Sequence, residues 1–328
     1  MKDEVLTLKF LYPYITRRSV SILIPSNPRI DTESQTKLRC ATMPSASPSR
    51  DPPFTPIHHL PTTEAYDRWA PIYDTDGNFL QALDDIAMRT LIPRLAAAIS
   101  ASSTGGPRRV VDLGAGTGRN TARLLTLSGV REVAALDAST GMLDVARARL
   151  ARYVTRGGAD DDNSNISADS TGIVEPTLRL ETFDMLASQD AAAPSPVCVS
   201  PGTADAVLST LVLEHIPLPT FFRHVSRMLR PGGVLLLSNM HADMGRVSQA
   251  GFVDNGVKIR GTSYAYEIEE VVEEARRWGL EVLGEVEERG VREDMVGELG
   301  ERSTKWVGVK CWFGGLMRKK TGGLAGDE

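Results

Sequence analysis

The feature that most constrains this chain is the run of residues 109–121, where a short apolar stretch ends in three glycines. Val110, Val111 and Leu113 are β-branched or apolar, the mark of a strand buried on both faces of a sheet. Gly114, Gly116 and Gly118 follow at alternate positions. Without a Cβ each can turn the backbone tightly and admit a ligand closely. Thr117 or Gly118 then opens a helix whose interior suits Thr121, Ala122, Leu124 and Leu125. Strand, glycine turn and helix N-terminus make a nucleotide-type site at the carboxyl edge of a parallel sheet. A glycine turn with no ligand is the plainer alternative.

The spacing separates two cofactor classes. A dinucleotide loop reads G-x-G-x-x-G, whereas this run reads G-x-G-x-G, with Arg119 where a third glycine would fall and Asp112 just ahead. It resembles the cofactor loop of the class I S-adenosylmethionine-dependent methyltransferases. That resemblance implies cofactor contacts from Asp112, Gly114, Ala115, Gly116 and Gly118. Residues 131–137 read as the next parallel strand, ending in Asp137. An acid at the end of that strand, about 20 residues downstream, can accept both ribose hydroxyls. A helix N-cap or a surface charge is the alternative for Asp137. Ala138 follows it, residues 141–154 read as a helix, and by the resemblance Met142 touches the adenine.

Two further stretches carry the same resemblance. Residues 204–216 resemble the fourth strand and turn of the small-molecule branch called methyltransferase type 11, so Ser209, Thr210 and Leu211 would line the methionine end of the cofactor. Glu214 and His215 would face the methyl acceptor, and an imidazole suits proton transfer near neutrality. A positional role for His215 is the competing reading. The Leu-Arg-Pro-Gly-Gly run of residues 229–233 is the third match in family order. The resemblance covers residues 66–313. It implies one doubly wound α/β domain with a mostly parallel seven-stranded sheet. Residues 178–185 would form a strand whose end, Asp184 and Met185, meets the adenine.

Ahead of the glycine loop, Tyr66, Ala70, Tyr73 and Asp74 are similar to a segment that in such relatives folds over the methionine end of the cofactor. Tyr66 and Trp69 serve equally well as apolar anchors of an N-terminal helix. Leu80, Leu83, Ile86, Ala87, Leu91 and Leu95 recur at helical spacing. Past the fifth strand, Met240, His241, Tyr264 and Tyr266 stand where such folds carry acceptor-binding groups, or simply pack. Residues 263–277 read as a helix. Residues 279–286 and 305–313 read as a closing antiparallel hairpin, and Arg318, Lys319 and Lys320 as a solvated end.

Composition narrows the partners. A net charge of −5 gives the whole molecule no basic excess for nucleic acid. No apolar run reaches the length of about 20 residues that spans a bilayer. Cys40, Cys198 and Cys311 are odd in number and in no metal-ligand spacing, so no metal is expected and the thiols read as reduced, in a cytoplasmic setting. Arg17, Arg18 and Ser21 suit a mitochondrial presequence, but Asp3 and Glu4 oppose it. Residues 1–60 read as a disordered tail, with Met43 an alternative start. Residues 61–320 read as the methyltransferase domain and 321–328 as a flexible end. Residues 157–171 and 188–202 read as polar or Pro/Ala/Ser-rich loops, and 100–107 as a Gly/Ser connector.

The expected function is methyl transfer from S-adenosyl-L-methionine to an O, N or C nucleophile of a small molecule, with His215, His241 and Tyr66 as candidate catalytic groups. A cofactor-binding regulatory or assembly protein without turnover is the alternative. An NAD(P)-dependent dehydrogenase fits the glycine spacing less well. The oligomeric state and the acceptor's identity are left open by the sequence.

Overall fold

The computed structural model describes residues 56–101, 106–153, 175–187 and 195–322. In chain order the elements are β1 (Ile57–His59), α1 (Thr62–Trp69), α2 (Phe79–Ser100), β2 (Arg108–Leu113), α3 (Arg119–Leu124), β3 (Val130–Asp137), α4 (Thr140–Arg149), β4 (Thr177–Thr182), β5 (Ala204–Thr210), α5 (Leu218–Met228), β6 (Leu229–Met240), α6 (Ala242–Gly245), β7 (Gly251–Asp254), β8 (Val257–Arg260), α7 (Ile268–Arg277), β9 (Leu280–Val282), β10 (Glu287–Gly290), α8 (Val296–Leu299) and β11 (Lys310–Lys319). Most of the expected tail, with Cys40 and Met43, lies outside the described residues, as do the expected insertion at 157–171, the first part of the 188–202 loop (188–194) and residues 323–328.

The main sheet runs β10-β11-β6-β5-β2-β3-β4. Strands β4, β3, β2, β5 and β6 are mutually parallel, and β11 is antiparallel to β6. The far edge is one strand broken in two: β10 pairs with the beginning of β11 and β9 with its end. The sheet therefore has seven strand positions, as the resemblance implies.

Its central strands carry apolar residues on both sides because both faces are covered, successive side chains pointing to opposite sides. Val110, Val133, Ala206, Leu208 and Leu236 pack with α2 on one face. Val111, Ala134, Val207, Leu235 and Leu237 pack with α5 and α7 on the other. Helix α2 begins at Asn78, whose side chain accepts from the Leu80 N–H, an N-cap that satisfies one of the helix's free donors.

Four boundaries differ from the sequence reading. The helix expected over 263–277 starts only at Ile268, where Glu267 and Glu270 form a reciprocal capping box. The last strand begins at Lys310, since residues 301–306 close into a 3-10 turn. Arg318 and Lys319 belong to that strand and are no loose end: the Lys319 ammonium donates to the Ser226 and Leu229 carbonyls. The fourth difference is a second, three-stranded sheet, β1-β8-β7. Residues 57–59, expected in the tail, pair in parallel with β8. That sheet and α1 bury Ala65, Trp69, Ala70, Phe252 and Ile259 together with Met142 of α4, forming a cap over the carboxyl end of the main sheet.

Candidate active site

The glycine loop leaves β2 at the centre of the sheet, and its three glycines are needed for three reasons. All have positive φ, at 78°, 53° and 78° for Gly114, Gly116 and Gly118, where a side chain is strained. A Cβ on Gly114 would stand 2.1 Å from a Val212 methyl, and one on Gly118 would meet Leu150 at 2.9 Å. These two allow close packing. At Gly116 a Cβ would meet nothing within 4 Å: the backbone there faces open space. The Gly114 and Ala115 N–H groups donate to the Leu136 carbonyl on β3, fixing the loop to its neighbour.

Asp137 ends β3 beside that space. Its carboxylate accepts from the Gly116 N–H and the Ser139 N–H, each at 2.8 Å. Burial raises its pKa, while the Ser139, Gly116 and Ala138 N–H groups pull it back. The Phe183 N–H donates to the Asp137 carbonyl, bringing Asp184 alongside, where its carboxylate holds the Leu186 N–H. Met185 is buried in the core beneath. The structure thus gathers the loop, Asp137, Ala138 and Asp184 at adjoining strand ends.

Asp112 lies deeper. It is fully buried, accepts from the Thr121 hydroxyl at 2.6 Å, and has a pKa raised by burial to about 6. It holds the first turn of α3 under the loop. Arg119, at the position that excludes a dinucleotide fingerprint, is an anchor: its guanidinium bonds Asp84 at 2.9 Å and Asp85 at 2.6 Å on α2.

The 62–74 segment closes over these groups by polar contacts. Asp67 accepts from the Ser139 hydroxyl and the Gly141 N–H at 2.6 and 2.9 Å. Asp74 accepts from Thr117, Gln81 and Arg149. Met142 is buried against α1 in the cap.

At the end of β5, the Ser209 hydroxyl turns inward to the Leu113 carbonyl and Thr210 accepts from Asn120. Leu211 has φ 57°, a strained conformation of the kind that persists at functional sites. Tyr66, Tyr73, Leu211 and Glu214 share the wall of a cavity of about 730 Å³. The glycine loop, Asp137 and Asp184 do not line it, so the cavity adjoins the strand-end site.

Tyr66 and His215 meet here. The Tyr66 hydroxyl is 2.9 Å from Nε2 of His215, whose Nδ1 is 2.5 Å from the Thr262 carbonyl. Since a carbonyl only accepts, Nδ1 carries the proton and Nε2 accepts from Tyr66. Burial holds the Tyr66 phenol well above its usual pKa. Glu214 is 2% exposed, and its Oε2 has no hydrogen-bond partner among the described residues. Burial raises its pKa as well.

His241 is elsewhere. Its Nδ1 accepts from the Asp243 N–H to start α6, and its Nε2 bonds Glu288 on β10; it does not line the cavity. Tyr264 and Tyr266 stack on one another at 5.4 Å, also outside it. The sequence reading missed the cavity's other wall, made by Phe252, Lys258 and Arg260 of the β7–β8 hairpin and by Arg302, Lys305 and Trp306. One signal was available. Asn255-Gly256, both at positive φ, is the two-residue turn that most strongly marks a hairpin.

Comparison with known proteins shows the family. A family model described as a methyltransferase domain matches residues 83–290. The chain is 42% identical over 274 residues to an uncharacterized methyltransferase of Emericella nidulans, covering 79% of this chain and 91% of that protein. Similar solved structures include the complex of DhpI with SAH (TM-score 0.47, 17% identity, 79% of this chain and 95% of that one). An S-adenosylmethionine-dependent methyltransferase from Mesorhizobium loti is another (TM-score 0.44, 20% identity, 69% and 96%). With the loop, the strand-end acid and the sheet order in place, the chain belongs to the class I S-adenosylmethionine-dependent methyltransferase family.

Proposed function

We propose that this protein transfers a methyl group from S-adenosylmethionine to an O, N or C nucleophile of a small molecule. The observation that carries the reading is Asp137: a carboxylate at a parallel strand end, beside a left-handed glycine whose Cβ position is empty. A ribose diol fits that pair, since a carboxylate offers about four acceptor sites, more than the Gly116, Ser139 and Ala138 N–H groups use. Ala138, Met142, Asp184 and Met185 take the adenine side. Tyr66, Tyr73, Ser209, Thr210 and Leu211 frame the methionine side, Ser209 and Thr210 by fixing the end of β5. Asp112 acts through Thr121 and the loop. The working domain is residues 61–320, joined by β1.

Bound S-adenosylmethionine supplies a methyl group already activated on a sulfonium. The chain's own contribution is alignment and the acceptor's proton. Tyr66 lines the cavity and donates to Nε2 of His215. An acceptor N–H or O–H gives its proton to the Tyr66 oxygen as the Tyr66 proton moves to Nε2, so the phenol stays neutral throughout. His241 ties β10 to α6 and takes no part. The cavity lies within the usual size range of small-molecule sites, roughly 300–1,000 Å³.

Incubating the protein with methyl-labelled S-adenosylmethionine and a small-molecule cell extract tests the reading. Label should appear in low-molecular-weight products. Cofactor binding with no label transferred to any of them would favour a regulatory role.

A further inference from the structure

The cavity's two ends differ in charge. Its inner end holds Tyr66 and the buried Glu214, with His215 bonded to the Tyr66 hydroxyl from outside the wall. Its solvent side holds four cations: Lys258 and Arg260 from β8, and Arg302 and Lys305 from the 3-10 turn Glu301–Trp306.

The local structure explains the clustering. Alternation along β8 puts Lys258 and Arg260 on one face while Ile259 enters the cap core. Three residues per 3-10 turn put Arg302 and Lys305 on one side of theirs. Burial and the nearby Arg260, Lys305 and Arg302 lower the pKa of Lys258, so the four charges repel one another.

Among the described residues, only Arg302 of the four has an acid within ion-pair distance. The only other acid on the wall besides Glu214, again among the described residues, is Asp76. Its carboxylate accepts from the Trp69 indole and the Asn78 N–H and pairs with Arg302 at 3.6 Å, and the Arg302 guanidinium also donates to the Asp76 carbonyl at 2.6 Å. Lys258 is held by its backbone N–H on the Pro56 carbonyl, and its ammonium makes no hydrogen bond or ion pair among the described residues. The buried Nε of Arg260 has no partner there either, and Lys305 rests over the Trp306 ring. Between the two ends the walls are aromatic, with Trp69 stacked on Phe252 at 5.2 Å and Phe79 on Trp306 at 5.9 Å.

Resting on the methyltransferase reading above, we propose that the acceptor is an apolar, ring-bearing molecule with a carboxylate or phosphate group. That group is held by Lys258, Arg260, Arg302 and Lys305, the rings lie between the aromatic walls, and the methylated atom points inward to Tyr66.

Matched probes test this on the full chain: benzoate with benzamide, 2-naphthoate with 2-naphthamide, and phenyl phosphate with phenol. Each is titrated by tryptophan fluorescence in the presence of S-adenosylhomocysteine, whose own binding is measured separately by calorimetry. At least one anion should bind about tenfold more tightly than its neutral partner, an advantage that falls with added salt. The carboxylate and phosphate pairs distinguish the two head groups. Lys258→Gln and Lys305→Gln, both partly or fully solvent-facing, should each reduce the advantage about fivefold while leaving the circular dichroism spectrum unchanged. Equal binding of anion and neutral partner, no binding of any probe, or an advantage that survives both substitutions would overturn the anion site. Failure of S-adenosylhomocysteine to bind would overturn the methyltransferase reading instead, and the probe comparison decides the anion site in either case.

Discussion

The hydroxyl of Tyr66 sits 2.9 Å from Nε2 of His215, joining residues 149 apart in the chain. The contact needs three placements at once: α1 docked on α4 through Asp67, the turn after β5, and the Thr262 carbonyl that sets the imidazole tautomer. Tyr66→Phe keeps the ring and its contacts but removes the proton path. Turnover with the acceptor found by label transfer should fall about 10²-fold, with S-adenosylhomocysteine affinity within about threefold of wild type. A purely structural Tyr66 would leave kcat and its pH profile unmoved. Steady-state kinetics across pH decides.

Two neighbouring glycines should respond oppositely. Gly114→Ala drives a methyl into Val212 and should cost roughly 2–4 kcal/mol of stability. Val212→Ala should restore part of that loss. Gly116→Ala meets no atom of the chain, so it should cost only the left-handed strain of about 1–2 kcal/mol. Its methyl enters the space assigned to the cofactor, and affinity for S-adenosylhomocysteine should drop at least about tenfold. Thermal melts and calorimetry on the two variants separate the effects.

The contrast shows what the sequence made legible. Residues 109–121 announce strand, turn and helix by local chemistry alone, and Asp137 follows at a spacing set by one βαβ unit. Sheet order came with the resemblance. The cationic wall of the cavity did not, because Lys258, Arg260, Arg302 and Lys305 come from separate stretches that meet only when the β7–β8 hairpin folds back beside α1. A lysine at alternate spacing from an arginine reads as a solvated strand edge until its facing neighbours are known. The partners of His241 were equally hidden: Glu288 lies on an edge strand whose register depends on β11.

Asp84 is buried in helix α2, where it accepts from Ser238 at 2.6 Å, the Trp312 indole at 3.0 Å and Arg119 at 2.9 Å. Asp84→Ala leaves the buried Ser238 and Trp312 donors without a partner and takes one of two carboxylates from Arg119, and should destabilise the fold by about 3–5 kcal/mol. Urea unfolding measures it, and a loss below about 1 kcal/mol would contradict the network's role.

Asp112 predicts a pH signature in stability. Its folded pKa is raised from the ordinary 3.8 to about 6. Between those values the native state holds the proton more tightly than the unfolded chain, so this group's contribution to stability falls as pH rises from about 4 to 6 and then levels. Asp112→Asn keeps an acceptor for Thr121 but cannot ionise. The variant's stability relative to wild type should therefore rise by on the order of 3 kcal/mol between pH 4 and pH 7. Denaturant melts of both proteins across that range check the sign and the window.

The central claim is that Asp137 and the glycine loop hold S-adenosylmethionine, and calorimetric titration with S-adenosylhomocysteine tests it most directly. The wild-type chain should bind one equivalent, Asp137→Ala should weaken that binding at least about thirtyfold, and NADH should not compete. A folded wild-type chain that binds no S-adenosylhomocysteine, or an Asp137→Ala variant that binds it as tightly, would contradict the claim.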